Sequence, residues 1–226
     1  MQTTNTMNQK ITMKSLLLAA AVLSLAAVAP AQSTGASTPA PAAGPGTGTG
    51  LLGQTYTSLG YGYTDLTGTT VNQQNLRFEY NQPLNTGFDL KLGYTGARTS
   101  EFAGTQRNSQ QSFDANAIAF VPETNWGRPY FQVGAGWLWA KDGGARDNSF
   151  LYHLETGVEY QVTTAFSVTP WVAYVDTPSL HLPADNHWNY GLKTNYWLTR
   201  SWGVGVDLAR DNKRNTTYGA GVNFRF

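Results

Sequence analysis

From residue 53 onward, apolar positions alternate with polar or glycine positions in ten separate stretches. A period of two puts successive side chains on opposite faces, so each stretch predicts a strand with two unlike faces. The first carries Thr55, Thr57, Leu59, Tyr61 and Tyr63 on its apolar side, and the fifth Phe131, Val133, Ala135, Trp137 and Trp139. The ninth carries Trp202, Val204, Val206 and Leu208, and the last runs through Tyr218, Ala220, Val222 and Phe224 to Phe226. Residues 53–226 shared among ten strands leave roughly 17 residues for each strand and its connection, which fits spans of about 9 to 11 residues with short links. Eight strands with longer loops is the competing count. Pro170 falls inside the seventh stretch, where it removes a ladder donor and predicts a bulge.

An even strand count brings both ends of the sheet to one side. The connections alternate accordingly. Links at residues 82–86, 122–128, 163–165 and 199–201 are short, while those at 65–70, 99–110, 142–148, 177–186 and 211–216 are more polar and often longer. Short turns on one side and longer loops on the other suit a membrane-spanning barrel. Aromatic residues gather near both strand ends, as two interfacial belts would require.

The N-terminal part reads differently. Met13-Lys14 is followed by an apolar Leu/Ala run and by Ala29-Pro30-Ala31, so residues 1–31 are expected to be a secretory signal peptide cleaved near Ala31-Gln32. Residues 32–52 form a Pro/Gly/Ser/Thr-rich linker, of which residues 32–50 are read as a flexible tether, with entry into a barrel lumen as the alternative. Residues 53–226 are the barrel domain. Lys10 and Lys14 are the charged residues before position 32, so cleavage takes the formal net charge from +1 to −1 and gives no support for nucleic-acid binding.

Composition sharpens this picture. Charged residues make up 13%, aromatics another 13%, and glycines number 24. Mean hydropathy is only −0.34, as expected where half of each strand faces a polar lumen. Without cysteine there is no disulfide and no thiolate metal site, and no cofactor or metal is expected. The polar strand faces carry Arg77, Glu79, Asp89, Lys91, Asp114, Glu155, Glu159, Lys193, Asp207 and Arg225. These charges are expected to point inward and to pair with one another, because lone ions in a narrow lumen are costly. The fold class is therefore all-β: an antiparallel up-and-down transmembrane β-barrel.

The signal-like N-terminus, the tenfold alternation, the aromatic belts and the terminal Phe226 resemble the small Gram-negative outer-membrane β-barrel superfamily, the OmpA-like and porin-like barrels. The resemblance covers residues 53–226. It implies residence in the outer membrane among its lipid and lipopolysaccharide, insertion by the barrel-assembly machinery, and Phe226 as the assembly signal. Two roles follow as expectations. One is a structural or surface-interaction barrel with a largely plugged lumen, meeting a surface partner through residues 99–110 and 177–186. The other is a narrow porin-like channel for ions or small solutes.

An enzyme is not expected. Omptin-type outer-membrane proteases carry an Asp-x-His pair, and Asp185-Asn186-His187 is similar, but the Asp-x-Asp of that family has no counterpart here. His153 lacks the serine two residues on that outer-membrane lipid A deacylases would imply, since Glu155 stands there.

Overall fold

The computed structural model describes residues 50–68, 71–100, 108–122, 124, 127–142, 145–178 and 187–226. The expected signal peptide, residues 32–49 of the linker, and most of the loops at 99–110 and 177–186 lie outside these. Ten antiparallel strands follow one another in chain order: β1 (Tyr56–Asp65), β2 (Asn72–Asn85), β3 (Phe88–Thr99), β4 (Ser109–Phe120), β5 (Arg128–Asp142), β6 (Ala145–Gln161), β7 (Phe166–Asp176), β8 (His187–Trp197), β9 (Trp202–Asp211) and β10 (Thr216–Arg225). Each pairs with its sequence neighbours, and β1 pairs with β10, so the sheet closes into a barrel. Closure leaves no edge strand, the condition for placing a sheet in lipid.

The seam between first and last strand runs from Tyr56 opposite Arg225 to Asp65 opposite Thr216. On its inner face Gly60 meets Gly221 and Gly62 meets Gly219. Beyond the seam, Phe226 donates its amide to the Thr55 carbonyl at 3.2 Å. The mouth at this side is called the terminal mouth below, and the opposite one the far mouth.

Every apolar stretch faces outward. Leu59, Tyr61, Leu76, Phe131, Trp137, Trp188, Val206 and Tyr218 are all among the large apolar side chains left exposed. Such a continuous apolar wall is untenable in water and natural in a bilayer. The terminal-mouth turns are tight and alike: Thr163 Oγ1 accepts the amides of Ala165 and Phe166, and Thr199 Oγ1 accepts those of Ser201 and Trp202. Threonine at these positions lets a side-chain oxygen replace the missing backbone acceptor.

Pro170 makes no bulge, contrary to the expectation. Along β6–β7, Gly157 pairs with Trp171 and Tyr160 with Val168, one register on both sides of a gap. The ladder skips the proline and resumes unshifted, while the β7–β8 ladder runs through Pro170 opposite Leu192. The ring faces outward, where its missing N–H is the only loss.

Candidate functional site: the lumen

The charged residues assigned to the lumen lie there, and most pair. Arg77 reaches Asp207 at 2.5 Å, Lys193 reaches Glu155 at 2.6 Å, and Lys91 lies 3.8 Å from Glu79. Asp114 accepts a 2.6 Å hydrogen bond from Asn116 Nδ2, and Asn116 also takes one from Gln132 Nε2 at 3.1 Å. Arg225 is on the inner face but at the rim. Its guanidinium lies 4.2 Å from the Trp197 ring centroid, and its Nε donates to the Arg200 carbonyl in the β8–β9 turn.

The Arg77–Asp207 bridge depends on glycine. Arg77 stands on β2 and Asp207 on β9, so the guanidinium crosses β1 and β10. Gly60 is opposite Arg77 and Gly219 is opposite Asp207. A Cβ on Gly60 would sit 3.6 Å from Arg77 Nε, and one on Gly219 would sit 3.2 Å from the Asp207 carboxylate. Larger side chains at these two positions would stand in the path of the ion pair.

Sequence reasoning missed several lumen residues. Arg128, assigned to a turn, opens β5 facing inward and pairs with Glu159 at 3.2 Å. The inner face is also less polar than its charges suggested. Trp171, Tyr56, Tyr130, Leu138 and Leu151 are buried there. Lys193 Nζ lies 4.6 Å from the Trp171 ring centroid, and Tyr130 donates to Glu155 at 2.6 Å. Aromatic rings thus fill space beside the Lys193–Glu155 pair. His153, considered above for catalysis, is buried against Gln132 at 2.8 Å.

Of the linker expected at residues 32–52, residues 50–52 are described, and they lie against the barrel interior. The chain enters the terminal mouth before starting β1. Leu51 N donates to Glu159 Oε2 at 2.7 Å, and Gly53 N donates to Asp89 Oδ2 at 2.8 Å. The Leu52 carbonyl accepts from Arg128 Nη2 at 2.6 Å, and the Gln54 carbonyl from Asn81 Nδ2 at 2.9 Å. Leu52 packs against Ile118, Phe120 and Tyr130. Gly53 has φ of 72°, the left-handed conformation glycine alone adopts without strain. Gly50 lies against the Glu159 carboxylate, where any Cβ would collide with it. Within residues 32–53 the one large apolar pair is Leu51-Leu52, and that was the available sequence signal.

Two cavities are prominent among the described residues. The larger, about 100 Å³, lies behind residues 51–52 and reaches Asn195 and Asn223. The smaller, about 60 Å³, lies toward the far mouth, against Thr64, Asn75 and Asn189. Both touch Arg77, Lys193 and Asp207, so these side chains form the constriction between them. Each has room for several waters. Among the described residues, no group of three or more His, Cys, Asp and Glu side chains is placed to hold a metal ion.

An apolar outer wall around an ion-paired interior defines the class: a transmembrane β-barrel. Solved structures with a similar fold include outer-membrane proteins. The KdgM porin in complex with disordered oligogalacturonate is 14% identical over 75% of this chain and 99% of its own, with a TM-score of 0.44. The translocator domain of autotransporter NalP from Neisseria meningitidis is 10% identical over 76% and 87%, with a TM-score of 0.49. The outer membrane protein OprG from Pseudomonas aeruginosa is 12% identical over 76% and 96%, with a TM-score of 0.41. No protein-family model and no curated protein matches the chain. The class rests on the wall and the lumen, and the likenesses add no role to it.

Proposed function

We propose that this is an outer-membrane β-barrel with a lumen closed at rest, serving the envelope or a surface partner rather than general solute passage. The seating of residues 50–54 in the terminal mouth carries this reading. Two buried carboxylates, Glu159 and Asp89, hold the backbone amides of that segment. The cations behind it are committed to partners: Arg77 to Asp207, Lys193 to Glu155 and Lys91 to Glu79.

The barrel-assembly machinery would insert the chain from the periplasm, with the terminal mouth left on the periplasmic side and the longer loops outside. The test is single-channel recording of the refolded chain from residue 32 onward, with folding checked by a heat-dependent gel shift. A quiet bilayer with rare openings is expected. Steady conductance from the folded protein would overturn the closed reading.

One observation favours the narrow-channel alternative. The two cavities meet at a single constriction of Arg77, Lys193 and Asp207, so departure of residues 50–54 would connect them toward the terminal mouth. In that state Glu155→Gln or Lys193→Gln should change ion selectivity. Equal selectivity in both variants would count against a conducting state. No catalytic role is proposed. Asp185 and Asn186 of the protease-like tripeptide lie outside the described residues, and His187 is buried inside the barrel.

A further inference from the structure

The outer wall changes character toward the far rim, and on one side it does so in three ordered tiers. The uppermost is a single rung across four strands. Arg98 on β3 is opposite Ser109 on β4, Ser109 is opposite Lys141 on β5, and Lys141 is opposite Arg146 on β6. All four face outward, and the three basic side chains are exposed. Three cations thus share one rung, although like charges directly opposite each other, as Lys141 and Arg146 are, destabilise a sheet. None of the three forms an ion pair with a described residue.

The next outward rung down is Gly96, Gln111, Trp139 and Asn148 in the same register. It offers two amides and an indole at the height where the wall leaves the apolar band. The rung beneath is Tyr94, Phe113, Trp137 and Phe150, wholly aromatic and exposed. Reading downward, the wall offers cations, then hydrogen-bonding amides, then apolar rings. Among the described residues, the acids that face outward at this rim, Asp65 on β1 and Asp176 on β7, stand off the patch, and Asp176 already accepts from Tyr152 at 2.7 Å.

We infer that this patch is a binding site for an acylated, bis-phosphorylated glycolipid of the outer leaflet. Its phosphates would meet Arg98, Lys141 and Arg146, its sugar and amide groups Gln111 and Asn148, and its acyl chains the aromatic rung. The rung from Arg98 to Arg146 crosses three strand spacings, about 14 Å at the usual separation. A single glycerophosphate is too short to span it, whereas a disaccharide with a phosphate at each end reaches both sides. A lipid of this kind turns the repulsion within the rung into charge-assisted hydrogen bonds. The inference rests on the coarser part of the function proposed above, a wall in the outer membrane with the far rim outermost, and not on the closed lumen.

The test is co-purification of lipid with the folded barrel in detergent, quantified by mass spectrometry. The probes are synthetic bis-phosphorylated lipid A, its dephosphorylated form, and phosphatidylglycerol. The unaltered protein should retain the bis-phosphorylated lipid in preference to the other two. Joint replacement of Arg98, Lys141 and Arg146 by glutamine should lower retention about tenfold or more. The single Lys141→Gln change gives a partial loss and serves if the triple variant folds poorly. Arg210→Gln, an outward cation on β9 away from the patch, should leave retention unchanged. Equal retention of phosphatidylglycerol, or equal losses from Lys141→Gln and Arg210→Gln, would overturn the site. A barrel that folds but fails to enter bilayers would instead overturn the membrane reading beneath it.

Discussion

Replacing Glu159 by glutamine keeps the side chain's shape and removes its charge. Glu159 is nearly buried, with 5% of its side chain accessible, and it holds both the Leu51 amide at 2.7 Å and the Arg128 guanidinium at 3.2 Å. Hydrogen bonds to charged groups contribute about 1.5–3 kcal/mol and neutral ones about 0.5–1.5 kcal/mol, so each contact loses about 1–1.5 kcal/mol. Arg128 and Glu159 both belong to the barrel wall, so of the two only the Leu51 contact, about 1–1.5 kcal/mol, enters the seating of residues 50–54. At about 1.4 kcal/mol per tenfold, the unseated fraction rises roughly 5- to 12-fold. Asp89, Asn81 and Arg128 still hold the segment at Gly53, Gln54 and Leu52, so the closed state is weakened and not abolished. Single-channel recording should show openings that are more frequent by about that factor, at unchanged step size. A folded Glu159→Gln barrel that opens no more often than the parent would refute the reasoning, since Glu159 would then hold nothing that gates the mouth.

Three further changes probe the same lumen. Gly53→Val places a β-branched side chain at φ 72° beside Arg128 and Phe120, and should unseat the segment by about 1–2 kcal/mol, read as protease cleavage within residues 50–54 of the folded barrel. At position 60 alanine fits, because its Cβ would stand 3.6 Å from Arg77, whereas leucine reaches into the guanidinium path. Gly60→Leu should therefore break the Arg77–Asp207 pair and shift the selectivity of an opened barrel, with Gly60→Ala as the silent control; identical selectivity in both would contradict the crossing. Lys193→Met leaves Glu155 buried with Tyr130 as its hydrogen-bond donor. Lys193 is 24% accessible beside a cavity with room for water, so the cost falls below the 3–5 kcal/mol of a fully buried pair, to about 2 kcal/mol, seen as a lower temperature for the heat-dependent gel shift.

The wall was legible because its signal is the period itself. Each strand alternates, so Leu59, Trp137 or Val206 could be placed outward without knowing any partner, and the parity of Arg77 or Glu155 followed. What parity does not carry is reach. That Arg77 finds Asp207 depends on two glycines on strands β1 and β10, which adjoin each other only once the barrel closes. Arg128 was hidden because its position before the fifth alternating stretch resembles a turn, although its even number matches the inner face of Tyr130 and Gln132. Trp171 escaped notice beside Pro170, where the pattern looked broken. The mouth segment was hardest to read. Leu51-Leu52 is too short for a strand or helix, and its contacts come from Glu159, Asp89 and Arg128, all distant in sequence.

The central claim is that residues 50–54 close the lumen. It is tested most directly by comparing, in planar bilayers, the refolded chain from residue 32 onward with one beginning at residue 55, each checked for folding by its heat-dependent gel shift. The seating predicts rare openings from the first and sustained discrete steps from the second. Equal behaviour of the two, whether both silent or both conducting, would contradict it.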